Sequence, residues 1–318
     1  MLIVLVGLSW SLRATASPLE PTIIDDESYH ESFTVVADLD DSTYIMVQFG
    51  FSNLGSGDGH GACRALVIEK GKAPWTKVAR HDRDEWRFAT EPVAQLSIGA
   101  CRVWQGSSLE IHAPIEDSVV RLSLRTKLRA THPPGSEIAV GDSFYQYTVL
   151  AGLVAVRAEW SLDGAEGKSA EGYAYADKLR STAMPKDVAQ YWIRYRALEK
   201  DGMISVGRIP AEGGTGELWS WQPGSEPAPS SGKSVAIERV GKDANEFAIT
   251  LTLADGKVLK LHSGQEMSRY APVEQIGWLK FFAKAVVGSP VTRTFRPKLL
   301  EGSTLVHGRA VLEVSYVD

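Results

Sequence analysis

Apolar and polar residues alternate with a period of two along most of this chain, in short runs separated by turn residues. In the first half such runs occupy 32–37, 44–51, 62–69, 86–90, 94–98, 109–112, 119–128 and 144–162. In the second they occupy 192–198, 204–209, 217–221, 234–240, 246–253 and 258–262. A period of two puts alternate side chains on opposite faces of an extended strand. Asp38-Leu39-Asp40-Asp41, Pro133-Pro134-Gly135, Asp163-Gly164, Asp201-Gly202 and Asp255-Gly256 supply the turns between runs. Many short strands with few helical periods predict an all-β protein. The segment 305–317 alternates too: Val306, Gly308, Ala310, Leu312, Val314 and Tyr316 share one face, and His307, Arg309 and Glu313 lie on the other with Leu305 and Val311. Only 276–287 carries apolar residues at helical spacing. That helix would pack across a barrel mouth, or touch a membrane surface as an amphipathic segment.

One alternating run carries charge. In 192–196, Trp192, Arg194 and Arg196 share a face while Tyr191, Ile193 and Tyr195 share the opposite one. A buried guanidinium must be paired and hydrogen-bonded, so this ladder calls for a carboxylate, and Asp177 and Glu171 are the local candidates. The alternative is a solvated face with ordinary surface ion pairs.

The sequence around the ladder, Gly172-Tyr173-Ala174-Tyr175-Ala176-Asp177-Lys178 followed by Trp192-Ile193-Arg194-Tyr195-Arg196, resembles the two-domain lipocalin-like family of AttH proteins, carotenoid hydratases and survival-factor proteins. Members show Gly-x-Gly-Tyr-x-Asp-His and then Trp-x-Arg-x-Arg; Lys178 stands here in place of the histidine. Shorter blocks at 47–53, 147–160 and 308–314 add to the resemblance. It implies two consecutive lipocalin-like (calycin-type) antiparallel β-barrels, 20–185 and 186–318, following a segment 1–16. It also implies a small hydrophobic ligand, a lipid or isoprenoid, held in a barrel pocket by Tyr173, Tyr175, Trp192, Arg194 and Arg196. The aromatic content, nine Trp, ten Tyr and nine Phe, suits such a pocket. Two other readings stay open: a hydratase-like lyase or isomerase acting on a polyene with Asp177 as general acid, and a structural envelope protein with solidly packed barrels. The missing histidine favours binding over catalysis at Asp177.

Charge and composition narrow the partners. A net charge of −5 lacks the clustered Lys and Arg that nucleic acid requires. The seven histidines form no close ligand spacing, so no metal or cofactor is expected. The glycine-rich stretch 53–61 lacks the Lys-Ser/Thr of a phosphate loop and is expected as a hairpin loop, as is the Pro/Ser/Gly stretch 223–233. No Gly-x-Ser-x-Gly elbow is present. The apolar run 1–12 with Ala14-Thr15-Ala16 fits a signal peptide lacking its basic start, which would place the mature chain at Ser17 in the periplasm or outside; otherwise the protein is cytoplasmic. Cys63 and Cys101 are read as two buried thiols in preference to a bridge, which an oxidising compartment would permit.

Overall fold

The computed structural model describes residues 17–53, 59–133, 136–200, 202–213, 215–221, 230–231, 234–240, 245–271, 289–304 and 308–317. The signal-peptide segment, the helix expected at 276–287 and most of the loop at 223–233 lie outside them. Among the described residues no helix is long and apolar enough to cross a membrane.

Twelve strands form the first sheet: β1 (His30–Leu39), β2 (Tyr44–Ser52), β3 (His60–Ile68), β4 (Trp75–His81), β5 (Trp86–Ala89), β6 (Ala94–Ile98), β7 (Cys101–Gln105), β8 (Leu109–Ile115), β9 (Ser118–Leu124), β10 (Glu137–Val140), β11 (Ser143–Ser161) and β12 (Lys168–Ser181). Their order is β4-β3-β2-β1-β12-β11-β9-β8-β7-β6-β5, with β10 beside β11. A single helical turn, α1 (Pro185–Val188), leads into the second sheet. That sheet contains β13 (Ala189–Ala197), β14 (Met203–Pro210), β15 (Glu217–Trp221), β16 (Ser230–Ser231), β17 (Ser234–Val240), β18 (Glu246–Thr252), β19 (Val258–Tyr270), β20 (Pro290–Leu299) and β21 (Val311–Val317). Its order is β16-β15-β14-β13-β21-β20-β19-β18-β17, and a bridge from Gly216 to Val235 draws its ends together. Each sheet curls into a nearly closed antiparallel barrel.

Strand alternation explains what fills each barrel. Phe33, Val35 and Ala37 of β1 point inward with Ile45, Val47 and Phe49 of β2 and Ala174 and Ala176 of β12. Ile193, Tyr195 and Ala197 of β13 do the same in the second barrel, packed on Leu312 and Val314 of β21. The even positions of the last strand therefore form an interior face, as its alternation predicts. A third apolar cluster belongs to neither interior. It joins Val36, Met46, Leu66, Tyr147 and Tyr175 from the first barrel to Trp192, Val206 and Trp219 from the second. The outer faces of the two sheets thus pack against each other, and the seam between them is buried.

Strands β4, β7, β10, β12 and β20 lie outside the alternating runs, and two further features differ from the sequence reading. The run at 144–162, expected as two strands, is one 19-residue strand with register shifts between Val149 and Ala151 and between Ala151 and Val154. Tyr145, Tyr147 and Val149 face the seam, and on the opposite parity Leu150, Val156, Ala158 and Trp160 enter the barrel, so the alternation stays in step across the two bulges. The second difference is that Cys63 and Cys101 are bonded, not free. The sequence separation concealed this, because only the curl of the sheet brings β3 opposite β7. Reduction should lower the unfolding free energy by about 2–4 kcal/mol, since the bridge closes a long loop in the unfolded chain, here of 38 residues. Urea melts with and without reductant measure it; a loss under about 1 kcal/mol would show that packing alone holds this interior.

Candidate functional site

The seam collects its polar groups by register. Asp177 lies on β12 with Tyr175 and Tyr173 on the same outer face, while the intervening Ala174 and Ala176 point into the barrel. Lys178 takes the opposite face from Asp177, pairing with the buried Glu31 at 2.7 Å. The residue that stands in the place of the family's histidine therefore lies on the other side of the sheet from Asp177. On β13, Trp192, Arg194 and Arg196 face the seam together, as their spacing predicts. Antiparallel pairing sets Arg194 opposite Glu313 of β21, and Trp192 opposite Ser315.

Arg196 is the hub. Only 2% of it is exposed; its Nη1 donates to Glu313 Oε2, and its Nη2 lies 3.9 Å from Asp177 Oδ2. Tyr147 donates its hydroxyl to Asp177 Oδ2 at 3.2 Å and shares a second hydrogen bond with Tyr175 Oη. An aromatic wall stands beside this cluster. Tyr145 stacks on Trp192 with ring centroids 4.9 Å apart, and Trp192 stacks on Trp219 at 6.1 Å. Arg194 is half-buried against this wall, its guanidinium 6.0 Å from the Trp192 ring, and its Nη1 donates to Ser315 Oγ at 3.4 Å.

Of the residues proposed from sequence, Tyr175, Asp177, Trp192, Arg194 and Arg196 meet here, and Tyr173 packs at the edge of the same cluster. They face out of their barrels, so the expected location in a barrel lumen is corrected to the seam between barrels. Glu171 is not a partner of the ladder; it lies exposed, 3.9 Å from Arg125. Sequence reasoning did not single out Glu313, Tyr145 or Tyr147. Their signal was parity alone: each sits on the outward face of an alternating strand. Asp38, expected in a turn, is instead a fully buried strand residue. It accepts Arg296 Nη1 and Nη2 at 2.7 Å each, clamping β1 to β20 across the seam. On the neighbouring strand β12, Gly172 lets the backbone pass close to β1 here, because a Cβ there would lie 2.4 Å from the Asp38 carbonyl oxygen.

The two carboxyls of the cluster are driven in opposite directions. Burial raises the pKa of Asp177 above the ordinary aspartate value, and the attraction of Arg196 and Arg194 only partly offsets it; repulsion from Glu313 adds to the rise. Burial acts on Glu313 as well, but Arg196 and Arg194 together with the direct Arg196 hydrogen bond outweigh it and hold its pKa below the usual glutamate range. Burial also raises Tyr145, Tyr147 and Tyr175, which therefore keep their protons. The seam thus holds one carboxyl shifted toward its acid form beside one shifted toward its anion. Among the described residues no group of three or more His, Cys, Asp or Glu is placed to hold a metal ion.

No family model and no curated protein matches the chain. Solved structures do. A protein assigned as an AttH from Nitrosomonas europaea superposes with a TM-score of 0.62 at 11% identity, over 96% of this chain and 100% of that one. CghA in complex with Sch210972 gives 0.60 at 10% identity, covering 96% of both chains. Kievitone hydratase from Nectria haematococca gives 0.54 at 10% identity, covering 90% of this chain and 88% of its own. This chain has the two-barrel fold of those proteins. The AttH and hydratase resemblance carried by Tyr173 to Asp177 and Trp192 to Arg196 is thereby matched over nearly the whole chain, at the level of the fold.

Proposed function

We propose that the seam between the barrels binds a hydrophobic small molecule and that Asp177 acts on it as a general acid, in a hydratase-like addition of water to a carbon–carbon double bond. The observation that carries this reading is the geometry of Asp177: a buried carboxyl held by the Tyr147 hydroxyl beside the stacked Tyr145, Trp192 and Trp219 rings, while the direct hydrogen bond of Arg196 goes to Glu313 instead. In the forward direction Asp177 gives its proton to one alkene carbon, water adds to the other, and the proton released by that water returns to the Asp177 carboxylate. Atoms and charge balance without a cofactor. Tyr147, hydrogen-bonded to Oδ2, holds the carboxyl in place, and the Tyr145, Trp192 and Trp219 rings offer an apolar wall that suits a polyene or prenyl chain. The placement of Lys178 on the opposite face removes the sequence argument against catalysis at Asp177.

Binding without turnover is the second reading, favoured by the proximity of Arg196 to Asp177, which stabilises the carboxylate and so works against the protonated acid that catalysis needs. One experiment separates the two. The purified protein is incubated in oxygen-18 water with polyenes and prenylated phenols, kievitone included, and products are examined by mass spectrometry. Label in a new hydroxyl group supports hydration; binding of the same compounds with no label in any product selects the binding reading.

A further inference from the structure

The seam holds more positive charge than its carboxylates balance. Arg296 and Arg309 share Asp38 across it, which leaves Arg64, Arg194 and Arg196 against Asp177 and Glu313. Arg196 takes up both carboxylates. Arg64 lies over the Tyr270 ring at 3.4 Å, a cation–π contact that serves in place of an ion pair. Arg194 is left with one long hydrogen bond to a serine hydroxyl, and among the described residues no carboxylate stands within ion-pairing distance of it. Beside it, the Tyr145 hydroxyl is buried against the Arg194 guanidinium, and its proton has no acceptor among the described residues. Glu313, opposite Arg194 on β21, and Asp177 attract its charge from beyond hydrogen-bond distance, so the guanidinium stays charged and its N–H donors suit an oxygen acceptor.

We propose that the ligand carries an anionic oxygen, a carboxylate or an acidic enol or phenol, that docks between Arg194 and the Tyr145 hydroxyl while its apolar body lies along Trp192 and Trp219. This rests on the seam being the binding site, and it adds the class of molecule: an amphiphilic acid, not a pure hydrocarbon. A guanidinium supplies a fork of N–H donors to such an oxygen, and a phenol that keeps its proton supplies another. The aromatic stack then fixes the position of the apolar part relative to Asp177.

A matched pair of fluorescent probes tests it. Anilinonaphthalenesulfonate and phenylnaphthylamine share one aromatic skeleton and differ by the sulfonate. The native protein should bind the sulfonate probe more tightly, by roughly 10- to 100-fold, the worth of hydrogen bonds to a charged group. Arg194→Gln should abolish that preference and leave phenylnaphthylamine affinity within about twofold. Arg194→Lys should restore part of it, and Tyr145→Phe should lower it several-fold. Tyr145→Phe carries the test alone if circular dichroism shows that Arg194→Gln does not fold. A sulfonate preference that survives both substitutions, or equal affinity of the native protein for the two probes, overturns the anion site and leaves the hydrophobic site standing. Failure of the native protein to bind either probe overturns both.

Discussion

Arg196→Met should lower the unfolding free energy by about 3–5 kcal/mol, the cost of removing one partner from a buried ion pair. Methionine keeps much of the volume but leaves Glu313 buried with no direct partner, and it removes the strongest attraction that works against neutralisation of Asp177. The sign of the pH dependence follows. In the native protein Glu313 titrates below its ordinary value, so its stabilising contribution is present above that value and is lost as pH falls through the lower, folded one. Without Arg196 that contribution disappears, and acid should destabilise the variant less steeply than the native protein. The sequence alone does not distinguish Arg194 from Arg196 as the paired guanidinium of the ladder. The structure decides for Arg196, because Arg194 has no carboxylate partner, and Arg194→Ala should cost clearly less than Arg196→Met. Urea denaturation of both, with unchanged m, measures the difference. A loss at Arg196 below about 1 kcal/mol would return the ladder to the status of exposed pairs. The double variant Arg196→Met/Glu313→Leu should recover part of the loss, since replacing both partners by apolar groups leaves no unpaired charge.

What the sequence made legible, and what it did not, divides by the range of the interaction. The alternation of Trp192, Arg194 and Arg196 against Ile193 and Tyr195 is a local property of an extended strand, and the structure keeps it residue for residue. So is the interior face of the last strand. The destination of the other face is not local. A strand whose outward side chains are Arg, Glu and Tyr looks like a surface strand, and only the packing of one barrel on another turns that surface into an interior. Asp38 illustrates the same limit: beside Asp40 and Asp41 it has the composition of a turn, and its burial depends on Arg296, 258 residues away. The Cys63–Cys101 bridge likewise depends on a sheet curling shut. Adjacency in sequence misled once in the opposite sense. Asp177 and Lys178 are neighbours in the motif, yet a period of two sends them to opposite sides of the sheet, so the identity of one says little about the chemistry of the other.

Asp177→Asn should abolish turnover of any hydrated substrate, by roughly 10²- to 10⁴-fold in rate, while ligand affinity changes little. The amide keeps the size of the side chain and can still accept the Tyr147 hydrogen bond, but it has no proton to give. If the native protein hydrates a substrate, its rate should fall on the alkaline side as Asp177 ionises. Because burial raises its pKa, that fall should come above the ordinary aspartate range, and it should be missing from any residual activity of the variant. Stability offers a second readout that needs no substrate. A carboxyl whose pKa is higher in the folded state retains a proton that the unfolded chain gives up, so its favourable contribution is complete below the unfolded value and is lost as pH rises through the folded one. Stability should therefore slope downward across that window in the native protein, and the slope should flatten in Asp177→Asn. Should the variant turn over substrate at the native rate, another group is the acid. If instead folding and ligand binding fail together, Asp177 is the second counter-ion of Arg196, and its place in the seam is to hold the two barrels in register.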